Sequence, residues 1–163
     1  MAAWFDRLTT ADQRTNNFTI TREMDMASIR KEMLVEACPE RIWEAVRDVG
    51  AVHTRLAPGS VVDCRLDGDA RIVTFANGLV ARELIVDVDD AARRLVWSVV
   101  QGRPTHHNGS LQVFADDGGR SRVVWIADVL PHDLAGPIGA MMDHGLRAMR
   151  QTLEGTRRAG EVA

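Results

Sequence analysis

Tyrosine is absent from this chain, and lysine occurs once, as Lys31, against nineteen arginines. The first absence removes a common phenolic acid and oxyanion donor. The second leaves Lys31 as the sole amine for Schiff-base chemistry, and its charged surroundings argue against that role. Cysteine occurs twice, as Cys38 and Cys64, without C-x-x-C spacing. That excludes a disulfide framework and a cysteine-based zinc site, and sets a reduced, cytoplasmic compartment as the expectation. No apolar run reaches the roughly 18 residues of a membrane span, and the opening MAAWFDRLTTADQR lacks the basic-then-apolar order of an export signal. Like charges do not cluster and the net charge is only -3, so neither nucleic acid nor a polybasic membrane contact is expected. Ser60, Ser98 and Ser110 lie outside any nucleophile-elbow context, which disfavours hydrolysis by acyl transfer.

What is present is one domain's worth of periodic sequence, with 45% hydrophobic residues in 163, an ordinary fraction for a single core. Residues 1–27 scatter Trp4, Phe5, Leu8, Phe18, Ile20, Met24 and Met26 without a sustained period. They read as an arm, loosely ordered or docked. Alternation over 28–37 predicts a first strand. Pro39 and Glu40, followed by Ile42, Trp43 and Val46, predict a helix to about Val49, and a second short helix covers 51–56. The period then becomes two. Strands are expected at 60–66, 70–76, 79–89, 93–102, 105–115 and 121–130, separated by Asp67-Gly68-Asp69, Asn77-Gly78, Asp89-Asp90-Ala91-Ala92 and Asp116-Asp117-Gly118-Gly119. Those turn residues favour consecutive antiparallel hairpins. Beyond Pro131, the stripe Leu134, Ile138, Met141, Met142, Gly145, Met149 and Leu153 predicts a long helix to about Gly155, with 156–163 as a frayed tail.

This order, carried by VEACPERIWEAVRDV, GLVARELIVDVDDAARRLVWSVVQG, VVWIADVLP and the amphipathic C-terminal helix, resembles the START-like (SRPBCC) helix-grip superfamily, in its polyketide cyclase/dehydrase-like branch. The resemblance covers residues 28–155. It implies an α+β fold in which a curved antiparallel sheet of about seven strands wraps around a long C-terminal helix, with two short helices after the first strand. It further implies a cavity between sheet and helix for a hydrophobic or aromatic small molecule. Lipid carriers, hormone receptors and aromatase/cyclases all share this fold, so the fold alone does not select an activity.

Asp128 is the most conspicuous candidate within that frame, a lone carboxylate in RSRVVWIADVL. An unpaired charge in an apolar strand is costly. Alternation groups it with Val124, Ile126 and Leu130, and opposes it to Val123, Trp125, Ala127 and Val129. Both rows are apolar, leaving a structural pairing or a ligand-facing role open. The face of Leu95, Trp97 and Val99 is taken as inward for its larger side chains. On the preceding strand either the Ala81, Glu83, Ile85 row or the Arg82, Leu84, Val86 row can face it, and the resemblance favours Glu83. If Glu83 instead lies on a solvated face, it pairs with Arg82, Arg71 or Arg94. His106 and His107 point apart on the next strand, and either can face in if Gly109 marks a bulge. Adjacent histidines on a strand make a poor metal pair, so no metal and no cofactor are expected.

The expected catalytic set is therefore His107, His106, Glu83 and Asp128. Ligand contacts are expected from Trp97, Val99, Ile85, Phe75, Leu111, Val124, Ile126, Met141, Met142, Gly145 and His53. A histidine near neutral pH beside a carboxylate suits proton transfer in cyclisation or dehydration of a polyketide-like or aromatic intermediate. The alternative is a noncatalytic binder or carrier of a hydrophobic ligand or lipid, in which the acids only orient one polar end. An outer sheet face carrying Val96, Val100, Val123 and Trp125 would suit a homodimer or the docked arm.

Overall fold

The computed structural model describes residues 26–160, with side chains described to Gly155. The expected arm therefore falls almost wholly outside the described residues, as does the end of the tail. Seven strands follow in chain order: β1 (Ala27–Val35), β2 (Val61–Asp67), β3 (Ala70–Phe75), β4 (Val80–Asp89), β5 (Arg94–Val99), β6 (His106–Ala115) and β7 (Ser121–Leu130). They form one antiparallel sheet in the order β1-β7-β6-β5-β4-β3-β2. Between β1 and β2 lie helix α1 (Pro39–Arg47) and a single π-helical turn over Val52–Leu56. Helix α2 (Ala135–Gly160) closes the fold. This is the helix-grip architecture.

Local sequence accounts for these elements. Pro39 opens α1, Glu40 lies in its first turn and Arg47 in its last, which complements the helix dipole, and Ile42, Trp43, Ala45 and Val46 are buried. The β2–β3 hairpin turns through Gly68 at φ +63°. The β3–β4 hairpin uses a three-residue loop, Ala76-Asn77-Gly78, closed by Phe75 N–H to Leu79 O at 2.8 Å, with Gly78 at φ +84°. Gly supplies that left-handed position without a Cβ clash. The register of β4 against β5 slips between Ile85 and Asp87, a bulge that sharpens the curl of the sheet.

Two boundaries differ from expectation by three residues or more. β5 stops at Val99 instead of continuing to Gly102, and α2 runs to Gly160, past Gly155. The early end of β5 leaves the Val99 N–H free to bond a side chain of β6.

The face assignment of β7 is reversed relative to the sequence reading. Val123, Ala127 and Val129 are buried and share the helix-facing row with Trp125, whereas Ile126, Asp128 and the likewise buried Val124 belong to the outer row. The ladder fixes this: Asp128 lies opposite Ser28 on β1 and Asn108 on β6, and β6–β7 pairs without a slip from His106 to Ala115. Val123 and Trp125 thus do not join Val96 and Val100 on the outer face. The principal core gathers α1, the π-turn, the sheet and the C-terminal half of α2, with Val35, Ile42, Val46, Val73, Leu111, Val113 and Val123 nearly sealed from solvent. Lys31 Nζ to Asp143 Oδ2 at 2.8 Å ties β1 to α2. The single lysine is thus a half-exposed strut, and is not among the cavity-lining residues.

Candidate functional site

A cavity of about 340 Å³ lies between the sheet and the N-terminal half of α2. Its walls are chiefly aliphatic and aromatic. Of the residues expected to contact a ligand, Phe75, Trp97, Val99, Leu111, Met141, Met142 and Gly145 line it, joined by Trp125, Val73, Ala81, Leu95 and Ile138. Residues of the β3–β4 hairpin, the Gln101–Pro104 connection and Pro137 at the start of α2 also line it.

Two tryptophans shape one side. The Trp97 and Trp125 ring centroids are 5.8 Å apart with planes tilted by 55°, within the preferred range for an aromatic pair. Each tryptophan lies against a glycine. A Cβ on Gly109 would approach Trp97 Cε2 to 2.7 Å, and one on Gly145 would approach Trp125 Cζ3 to 3.0 Å. Gly109 therefore marks no bulge; it is the flat seat of Trp97, directly opposite it in the β5–β6 ladder. Gly145 likewise lets Trp125 pack close to α2.

Three buried polar side chains of the cavity, Arg71, Glu83 and His107, form a group, while Ser60, Asn77, Gln101 and Arg103 also line it. Arg71 and Glu83 are cross-strand partners on β3 and β4. Arg71 Nε donates to Glu83 Oε2 at 2.8 Å, and their side chains are 7% and 8% exposed. Arg71 Nη1 donates to Val49 O at 3.2 Å, and the guanidinium lies 5.7 Å from the Trp97 ring centroid. A buried charge needs this degree of pairing, since desolvating either ion alone costs several kcal/mol. Glu83 also pairs with Val99, and Val99 brings in the third group: its N–H donates to His107 Nδ1 at 3.3 Å.

The ladder explains why that histidine is available. β5 and β6 pair only from Arg94/Gln112 to Trp97/Gly109. Beyond that point the strands part, the His107 ring takes the Val99 N–H, and Ser98 Oγ donates to His107 O. His107 is buried, and burial pushes its pKa below the ordinary 6.5; the nearby Glu83 partly opposes this. An acceptor role at Nδ1 requires the neutral ring, with its proton on Nε2.

The other expected residues lie elsewhere. His106 is exposed, because strict alternation without a bulge sends it outward. Asp128, Val124 and Ile126 are on the outer row of β7. Ile85 packs against the core opposite Trp97 without lining the cavity. His53 belongs to the π-turn, whose Val52 and Leu56 line the cavity while His53 does not; its Nδ1 is buried without a partner. Sequence reasoning missed Arg71 as a cavity group. Its signal was the hairpin: a three-residue loop ending in Gly78 sets Arg71 opposite Glu83, whereas a two-residue Asn77-Gly78 loop sets Ile72 there. Among the described residues, no group of three His, Cys, Asp or Glu side chains is placed to hold a metal ion.

Residues 26–161 match the family model described as polyketide cyclase / dehydrase and lipid transport, and the chain belongs to that family. It is a small-molecule-binding protein of that family. No curated protein matches it in sequence. Solved structures share the fold. XoxI from Bacillus cereus superposes with a TM-score of 0.73 at 18% identity, over 80% of this chain and 98% of that one. Norcoclaurine synthase from Thalictrum flavum, solved with dopamine and hydroxybenzaldehyde, gives 0.64 at 18% identity over 85% and 90%. A Thermobifida fusca protein gives 0.65 at 26% identity over 77% and 92%. Among the described residues, no helix is long and apolar enough to cross a membrane.

Proposed function

We propose that the protein is a cyclase/dehydratase acting on a polyketide-like or aromatic intermediate held in this cavity. The observation that carries the reading is the meeting of Glu83, Arg71 and His107 at one apolar cavity, with the His107 ring fixed by Val99. Holding a flexible chain folded against the two tryptophans supplies much of the rate of a ring closure, because it converts chain flexibility into proximity.

The roles follow from protonation. With Nδ1 occupied, His107 presents Nε2–H and polarises a substrate carbonyl in its neutral form, instead of shuttling a proton. Glu83 is the base that removes the proton α to that carbonyl, and Nε2–H with the Arg71 guanidinium stabilises the enolate oxygen. The enolate carbon attacks a second carbonyl, and the new alkoxide takes the proton back from Glu83. For dehydration, Glu83 removes a second α-proton, the enolate expels the hydroxyl, and that proton leaves with it as water. His106 and Asp128 have no part in this scheme.

The aliphatic character of most of the cavity wall favours a second reading, a noncatalytic carrier in which the same three groups only orient one ligand end. Substitution separates the two. His107→Gln and Glu83→Gln are expected to lower turnover of a polyketide-like diketone by 100-fold or more while changing its affinity less than tenfold. Loss of affinity with no turnover in the parent chain would instead establish the carrier.

A further inference from the structure

The polar end of the cavity is charge-balanced and asymmetric in its hydrogen bonding. Arg71 contributes one positive charge, Glu83 one negative charge, and His107 none, since a protonated Nδ1 would confront the Val99 N–H that it accepts. The bonds within the cluster use Arg71 Nε and Nη1, Glu83 Oε2 and His107 Nδ1. That leaves Arg71 Nη2 and His107 Nε2 as donors and Glu83 Oε1 as acceptor on side chains that line the cavity. None of these three atoms is among the sealed, unpartnered atoms of the described residues. Two donors and one acceptor, with no net charge among the three side chains, lie together in a largely apolar chamber, which Ser60, Asn77, Gln101 and the exposed Arg103 also line.

We propose that Arg71 is a specificity-determining residue: together with Glu83 and His107 it selects ligands with an uncharged head that carries a carbonyl acceptor and a hydroxyl donor, and rejects carboxylates and ammonium ions. This rests on the cavity being the ligand site, as in the proposed function, and narrows its substrate class. A carboxylate would meet Arg71 and His107 favourably but would be repelled by Glu83 in a medium that screens little. An ammonium ion would meet Glu83 but be repelled by Arg71. A hydroxy-carbonyl head satisfies both sides: its oxygen accepts from Nη2 and Nε2, and its hydroxyl donates to Oε1. A buried polar group left unpaired is what makes the wrong head costly. The arrangement also explains why the charges are internal to the protein. With Arg71 already neutralising Glu83, this cluster needs no counter-charge from its ligand.

The test uses the full chain and three probes that share one ring and one hydroxyl: 3-acetyl-1-naphthol, 4-hydroxy-2-naphthoate and 3-(aminomethyl)-1-naphthol. Calorimetric titration at pH 7.5 is expected to give a Kd for the acetyl compound at least tenfold lower than for either charged probe. Removing one charge should then redirect the preference. Glu83→Gln, which leaves Arg71 uncompensated, is expected to tighten the naphthoate at least tenfold. Arg71→Gln is expected to do the same for the ammonium probe. Near-UV circular dichroism checks that both variants keep the packed fold, and the ranking in the unmodified chain needs no variant. If all three probes bind alike, or if Glu83→Gln leaves the naphthoate unchanged, head selection is wrong while the cavity remains the binding site. If none binds the unmodified chain, the binding reading falls and this inference falls with it.

Discussion

Arg71 and Glu83 stand opposite each other on adjacent strands with their charges turned toward an apolar chamber, so each is tolerated only because of the other. Removing one partner strands a buried charge. Arg71→Met is therefore expected to lower the unfolding free energy by about 3–5 kcal/mol, whereas Arg71→Met combined with Glu83→Leu should recover most of that loss. Urea unfolding of the two single variants, the double variant and the parent closes the cycle, and a double variant no more stable than the singles would contradict the pairing. His107 gives a pH signature of definite sign. Its folded pKa lies below the ordinary 6.5, so the unfolded chain takes up the proton first on acidification. The stabilising preference for neutral His107 is complete above pH 6.5 and is lost as pH falls from there through the folded pKa. The neighbouring charges divide, with Glu83 and Asp128 opposing the shift and His106 adding to it. Thermal unfolding followed from pH 7.5 to 5.0 should show the midpoint falling more steeply for the parent than for His107→Gln; parallel curves would exclude this source.

Glycines distinguish the elements that were readable from those that were not. Gly109 and Gly155 look alike in sequence, yet a Cβ on Gly109 meets the Trp97 ring at 2.7 Å, while one on Gly155 meets nothing within 4 Å. Gly109→Ala is expected to destabilise by about 1–3 kcal/mol through overpacking, with a shift in tryptophan emission as the Trp97 ring moves. Gly155→Ala, within α2, should stabilise by about 0.5–1 kcal/mol through helix propensity. Chemical denaturation of both variants checks the opposite signs. At this scale the strands, both helices and their order were legible, because turn residues and apolar periods are local signals. The facing of β7 was not. Its two rows are almost equally apolar, and alternation divides Val124, Ile126 and Asp128 from Val123, Trp125 and Ala127 without saying which row meets α2. The end of β5 at Val99 was equally hidden, since Val100 continues the apolar pattern and only the His107 ring, taking the Val99 N–H, ends the ladder.

For the whole molecule, the fold leaves a cavity bounded by Trp97, Trp125, Met141 and Met142, and packs the remaining core around Val35, Ile42 and Leu153. Filling the chamber should therefore separate binding from folding. Ala81→Phe projects into the cavity from β4 and is expected to weaken binding of a naphthol probe at least tenfold, with unchanged far-UV circular dichroism. Unchanged affinity would place the ligand elsewhere. The sequence by itself determined the α+β class, the hairpin order, the long closing helix and the absence of any basic tract, because composition, period and turn chemistry are properties of neighbouring residues. Only the tertiary structure decided which carboxylate and which histidine share the cavity. That choice depends on the register carried through the successive hairpins from β3 to β7, on a three-residue loop before Leu79 and on the unbulged ladder at Gly109. A shift of one residue in any of these would have exchanged Glu83 for Arg82, or His107 for His106.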